Sequence, residues 1–286
     1  MTEPGTLLLQ LALWLAVGVS SVDARERRGS GALLSVSAAQ SNAVYLRPLT
    51  IQLGSTDEEV LAALLRCKRE PLGERCDETT FTGESPPHYE KVAGFWMART
   101  ETTVAEYARC VAVGRCQPPA FQGGARRFER ARYPVTLVSV DEAERFCAFR
   151  GGRLPTEAEF ERAARGAARR TYPWGQNYSR HLANHGRLGV DPSDASDGFA
   201  ELAPVGSFPG GATPEGVLDL AGNVAEWTAD AFVPAYGLPP TSDRAVRGGH
   251  FASAAPFLRG AARFSKPPGA REPTLGFRCV WSVAPS

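Results

Sequence analysis

The sequence has no imbalance of charge. Its 32 basic and 31 acidic residues leave a formal net charge of +1, and no basic stripe runs along it. Phosphate backbones and acidic lipids are bound through a concentrated positive field, so neither a nucleic acid nor an acidic membrane surface is an expected partner. The apolar run at 7–19 covers 13 positions, too few to span a bilayer comfortably. No two of the six cysteines stand at the Cys-x-x-Cys spacing of zinc and redox sites. Nucleophile-elbow, phosphate-loop and His-Glu-x-x-His patterns are missing, as are EF-hand spacing and any internal repeat. These absences leave a chain whose function has to be read from loops and single residues.

The 7–19 run has the length of a signal-peptide core, and Val22, Asp23 and Ala24 offer short side chains near a cleavage point. Residues 1–24 are therefore expected to be a signal peptide and the protein to be exported, periplasmic or extracellular. After cleavage no membrane span is expected. A membrane anchor is the alternative, because the opening Met-Thr-Glu-Pro-Gly carries no basic residue. Residues 25–42, rich in Arg, Gly and Ser, predict a flexible lead-in. Residues 43–286 then form one domain, and the chain's 29 Gly and 22 Pro predict much loop-built structure. Export makes disulfides the expected state of the cysteines. Cys67 and Cys76 flank a Pro-Leu-Gly turn and Cys110 and Cys116 flank Val-Gly-Arg, so each pair can close a small loop, leaving Cys147 and Cys279.

Four capping boxes mark helix starts: Thr56 with Glu59, Thr103 with Glu106, Ser139 with Glu142 and Thr156 with Glu159. Leu46, Leu49, Ile51 and Leu53 predict one strand, and Val92 with residues 94–97 and Arg99 a second. Residues 134–138 form a short β-like run. Beyond Gly175 periodicity fades, which predicts a second half held by loops, ions and buried aromatics more than by regular elements. The mix reads as α+β.

Residues 216–230 are the centre of the chain. Asp219 and Glu226 can offer carboxylate oxygens to a hard cation, and Gly222 allows a turn tight enough for carbonyls to point inward, an all-oxygen setting that suits Ca²⁺. An ordinary acidic turn ahead of a buried Trp227 would look the same. The stretch resembles the Asn/Asp-x-x-Gly-Asn-x-x-Glu-Trp signature of the formylglycine-generating enzyme, or sulfatase-modifying factor, family. Two further stretches resemble that family in the same order: Gly152-Arg-Leu-Pro-Thr-Glu-Ala-Glu-Phe-Glu161, and Arg247-Gly-Gly249 followed by Leu275-Gly-Phe-Arg-Cys279. The likeness covers roughly 45 to 283.

The resemblance implies a C-type-lectin-like α+β fold of low regular content with calcium-stabilised loops, and a structural Cys147–Cys279 disulfide. It implies two calcium sites. One takes the side chains of Asp219 and Glu226 with the carbonyls of Gly222 and Val224. The other takes the side chains of Asn184 and Asp197 with the carbonyls of His185 and Phe199, the His185 imidazole lying at the surface. The family's oxidase holds Cu(I) through two thiolates shortly after the Gly-Gly turn, but residues 248–278 contain no cysteine. Ser253 stands where the first thiolate belongs, and near Leu258 the chain is shortened so that the second has no counterpart. His250 replaces a serine and Ala225 a pocket tryptophan. Copper is therefore not an expected cofactor. The expected function is an exported, monomeric, non-oxidase binding or accessory module for a peptide, glycan or envelope protein. A formylglycine-generating oxidoreductase that modifies a sulfatase cysteine is the alternative.

Overall fold

The four capping boxes each open a helix: α1 (Asp57–Cys67), α2 (Val104–Ala112), α3 (Val140–Phe149) and α4 (Glu157–Arg165). In α4 the Thr156 hydroxyl accepts the Glu159 N–H at 3.1 Å, and a Glu159 carboxylate oxygen accepts the Thr156 N–H at 2.9 Å. Two of the N–H groups that a helix start leaves open are thereby satisfied. This is a computed structural model, and it describes residues 42–121, 123–188 and 194–283. The expected signal peptide, and the lead-in up to residue 41, lie outside the described residues. Among the described residues no helix is long and apolar enough to cross a membrane.

The expected first strand is two strands, β1 (Ala43–Leu46) and β2 (Leu49–Leu53). Pro48 falls between them and has no N–H for a ladder, so the chain changes partner there. The second strand divides likewise into β3 (His88–Val92) and β4 (Phe95–Ala98). β2 pairs with β3, whereas β1 pairs with β4, and β4 with β9 (Val280–Ser282), all antiparallel. Residues 134–138 form no strand beyond a single bridge between Pro134 and Thr103. Leu137 there has φ of +60°, which ends an extended run.

Between Arg165 and Ala225 the described residues hold one short 3₁₀ turn, Pro209–Gly211, as the fading periodicity predicts. After it the sequence reading fails, because a four-stranded sheet follows in the order β7 (Arg263–Lys266), β6 (Arg244–Arg247), β5 (Ala225–Ala231), β8 (Leu275–Gly276). These strands are two to seven residues long, too short to print a period.

Every residue of α4 is buried, charged ones included. Its acids are paired across the fold. Arg247, fully buried, reaches Glu157 at 3.0 Å and Glu161 at 2.6 Å, and Arg263 meets Glu157 at 2.6 Å. Removing one member would strand a buried charge, so the helix and the central sheet are held as one unit. All six cysteines are bonded, as Cys67–Cys76, Cys110–Cys116 and Cys147–Cys279. The last ties α3 to the segment ahead of β9, beside Trp227, whose indole N–H donates to the Val138 carbonyl at 3.1 Å.

Candidate functional site

The 219–226 turn is built from left-handed backbone. Asp219, Gly222 and Asn223 have φ of +57°, +83° and +61°. A side chain at Gly222 would overlap the Asn184 carbonyl oxygen, so the close approach of the two loops requires glycine. Asn223 is the hub. Its N–H donates to the Asn184 carbonyl at 2.9 Å, and its amide oxygen accepts from Asn184 Nδ2 at 3.0 Å and from the Ala203 N–H at 2.9 Å. Its own Nδ2 donates to Glu101 Oε1 at 3.0 Å, and its carbonyl accepts the Phe251 N–H at 3.0 Å. One residue, through side chain and backbone together, therefore joins both candidate calcium loops to the turn that carries His250.

Glu226 has a partner that the sequence reading missed. Arg278 grips both its oxygens at 2.7 Å, and neither side chain is exposed. The same guanidinium donates to the Asp219 carbonyl at 3.0 Å. Asp219 lies beside a third buried acid, Glu101, whose Oε2 has no hydrogen-bond donor. Burial pushes the Glu101 carboxyl well up, the charge of Asp219 adds to this, and Arg278 opposes it. Burial also raises Asp219, against the Gly206 N–H that donates to its Oδ2 at 2.7 Å. Three acids thus face one guanidinium. With the charge of Glu226 met by Arg278, Glu101 and Asp219 are the pair that needs a proton or a cation between them.

Asp197 joins the second pair of loops through backbone N–H groups. Asp197 accepts the His185 N–H at 2.7 Å on one oxygen and the Phe199 N–H at 2.8 Å on the other. Asn184, 1% exposed, donates to the Glu201 carbonyl at 2.8 Å and leaves its Oδ1 buried without a partner. The His185 imidazole is not at the surface as expected: it is 4% exposed, packed edge-on to Tyr178, with Nδ1 3.2 Å from the Gly186 carbonyl. Asp197 draws in the backbone at His185, and the ring follows it inside. Among the described residues no three His, Cys, Asp or Glu side chains are grouped to hold a metal. An ion here would rest largely on amide and carbonyl oxygens.

Gly248 and Gly249, with φ of +90° and +67°, turn the chain out of β6 into the His250 loop. Ser253 Oγ accepts the His250 N–H at 3.0 Å, and His250 Nδ1 accepts the Ala252 N–H at 3.2 Å. The imidazole proton therefore sits on Nε2. Burial, reinforced by the charge of Lys266 and opposed by Glu272, brings the imidazole down to about 4, so it is neutral at pH 7. Ala225 opens β5 and packs in the core with Trp227.

A family model, the sulfatase-modifying factor enzyme 1-like domain, matches residues 56–283. The chain belongs to that family. It is 39% identical over 175 residues to the inactive C-alpha-formylglycine-generating enzyme 2 of Mus musculus, covering 58% of this chain and 54% of that one. To the formylglycine-generating enzyme of Mus musculus it is 35% identical over 175 residues, covering 55% and 46%. The chain thus spans about half the length of these relatives. Among solved structures it is similar to PvdO from Pseudomonas aeruginosa, with a TM-score of 0.65 and 26% identity over 84% of this chain and 93% of that one. The fold is accordingly the α+β, C-type-lectin-like formylglycine-generating-enzyme fold.

Within that sulfatase-modifying factor frame, sequence reasoning found Asp219, Glu226, Asn184 and Asp197 but passed over Asn223, Glu101 and Arg278. Asn223 lies inside the family signature, which by itself gives it no role. Arg278 also lies in a stretch that carries the resemblance, 275–279, but its partner Glu226 is 52 residues away; Glu101, 122 residues from Asn223, carries no local signal.

Proposed function

We propose that this protein is an exported, non-oxidase member of the sulfatase-modifying factor family that works as a binding or accessory module. The carrying observation is the donor set around His250. All six cysteines are held in disulfides, Ser253 Oγ accepts a backbone N–H, and so does His250 Nδ1. Cu(I) requires soft ligands, and a hydroxyl beside one neutral imidazole does not fit it. The three disulfides favour an oxidising compartment and support export. Incubating the protein with a Cys-x-Pro-x-Arg peptide, copper and reductant should give no aldehyde product by mass. A copper-dependent aldehyde, lost in Ser253→Ala or His250→Ala, would overturn the reading in favour of a formylglycine-generating oxidase.

Calcium belongs to the same proposal. The buried, unpartnered Oδ1 of Asn184 fits a hard cation, which Asn184 and Asp197 would hold with the carbonyls of His185 and Phe199. At the first loop, Asp219 with the open oxygen of Glu101 fits better than the already paired Glu226, completed by the carbonyls of Gly222 and Val224. An ion there joins loops whose ordering entropy has few regular elements to offset it. Saturating calcium at a hundredfold excess over Kd adds about 2.7 kcal/mol. At roughly 2–4 °C per kcal/mol, chelation should lower Tm by about 5–11 °C, and Asn184→Ala should blunt the response. Melting curves that coincide with and without Ca²⁺ would refute the calcium proposal.

A further inference from the structure

A cavity of about 270 Å³ opens beside His185, between the residues that follow α1 and the described segments 178–187 and 194–196. Its charge is mostly positive: Arg69, Arg180 and Arg187 line it, against Glu70 and Asp194. All three arginines reach solvent at its mouth, unlike Arg247, Arg259 and Arg278, which are buried and tied to carboxylates. Among the described residues no carboxylate is paired with Arg69, Arg180 or Arg187.

The same cavity is lined by two residues with unmet acceptors. The Nδ1 of His185 lies against the Gly186 carbonyl, which can only accept, so the ring proton sits on Nδ1 and the buried Nε2 keeps a bare lone pair with no partner. Asp194 Oδ1 accepts the Ser196 N–H at 3.0 Å, while its Oδ2 is buried and unpartnered. Buried polar atoms are paired as a rule, and two exceptions on one cavity ask for hydrogen-bond donors from outside the protein. Tyr178 supplies an aromatic flank, edge-on to His185 at 5.9 Å.

We infer that this cavity binds a small organic molecule that carries both an anionic group and hydrogen-bond donors, its anionic group set against the three arginines and its donors against His185 Nε2 and Asp194 Oδ2. The inference rests on the binding-module reading and names the ligand class for it. A bare oxyanion such as sulfate answers the arginines but leaves both acceptors unmet. A metal ion would meet the arginines' repulsion. The volume, about 270 Å³, lies just below the usual range of ligand pockets, which begins at roughly 300 Å³, and suits one sugar or one amino acid better than a peptide. Both sources share the chemistry: an acidic sugar donates through hydroxyls, and an amino acid through its ammonium group.

The test is ligand-observed NMR on the whole protein with glucuronate, L-glutamine and sulfate as probes. Glucuronate or glutamine should bind, and sulfate more weakly than the better of the two. The double variant Arg180→Ala/Arg187→Ala, whose side chains are solvent-exposed and whose melting serves as the folding check, should weaken binding about tenfold or more. Asp194→Asn tells the sources apart, since it removes the charge that holds an ammonium but keeps an acceptor for a hydroxyl. It should cost glutamine far more than glucuronate. The proposal is overturned if neither organic probe binds, if sulfate binds as tightly as the better of the two, or if the double variant binds like the parent. A protein that makes no aldehyde from the cysteine peptide and binds neither probe loses this site but keeps the non-oxidase reading.

Discussion

Replacing Arg278 by Met keeps much of the side chain's volume and removes its charge. The loss is large because Arg278 and Glu226 are wholly buried and joined by two bonds of 2.7 Å. Without it the Glu226 carboxylate has no counter-charge, and Glu101 and Asp219 lose the nearest cation that opposes their raised pKa values. Breaking one side of a buried pair costs about 3–5 kcal/mol. For a domain of this size that corresponds to a fall in Tm of about 6–20 °C. Adding Glu226→Gln should recover part of the loss, because an amide in the same place needs no counter-charge. Urea unfolding of the parent, both single variants and the double variant gives the coupling directly. Calcium adds a second readout: an ion at Asp219 and Glu101 would partly replace the missing charge, so Arg278→Met should gain more from Ca²⁺ than the parent does. The reasoning fails if Arg278→Met lies within about 1 kcal/mol of the parent, since no buried carboxylate could then have been left uncompensated.

The disulfides should differ in weight. Loop closure over the 132 residues between Cys147 and Cys279 constrains the unfolded chain by about 5 kcal/mol, against about 2 kcal/mol for the separation of 6 between Cys110 and Cys116. Paired Cys→Ala variants should therefore fall in that order by urea unfolding, and equal losses would count against the entropic account. His250 gives a pH dependence. Its pKa is about 4 in the folded protein and about 6.5 unfolded, so between these values the unfolded chain holds more protons and stability rises with pH. The contribution is complete above pH 6.5, is lost as pH falls through 4, and amounts to about 3 kcal/mol. The raised carboxylates Glu101 and Asp219 act with the opposite sign, so the measurement is the difference between the parent and His250→Gln. That difference should shrink from pH 7 to pH 4, and a flat one would refute the assignment.

What could be read from the chain was local. Each capping box is an exchange of hydrogen bonds across three residues, so Thr56, Thr103, Ser139 and Thr156 announced their helices without reference to the rest of the fold. The Cys67–Cys76 and Cys110–Cys116 loops were equally local. The Cys147–Cys279 pair, joining distant positions, came from the family likeness and not from spacing. The β5–β8 half was unreadable because its strands are short and pair across long separations, as Ala225 does with Leu275.

The sequence by itself determined the helix starts, the left-handed turn that Gly222 permits, and the lack of any cysteine at 248–278 around His250. Only the tertiary structure decided which charges meet. Arg247 and Arg278 both lie in stretches that carry the family resemblance, but neither stretch says that Arg278 is buried against Glu226 or that Arg247 bridges Glu157 and Glu161. A buried ion pair is selected by which side chains lose water together. That is a property of how the layers close over α4 and the central sheet, and it also left Asn184 Oδ1, Glu101 Oε2 and His185 Nε2 inside without partners.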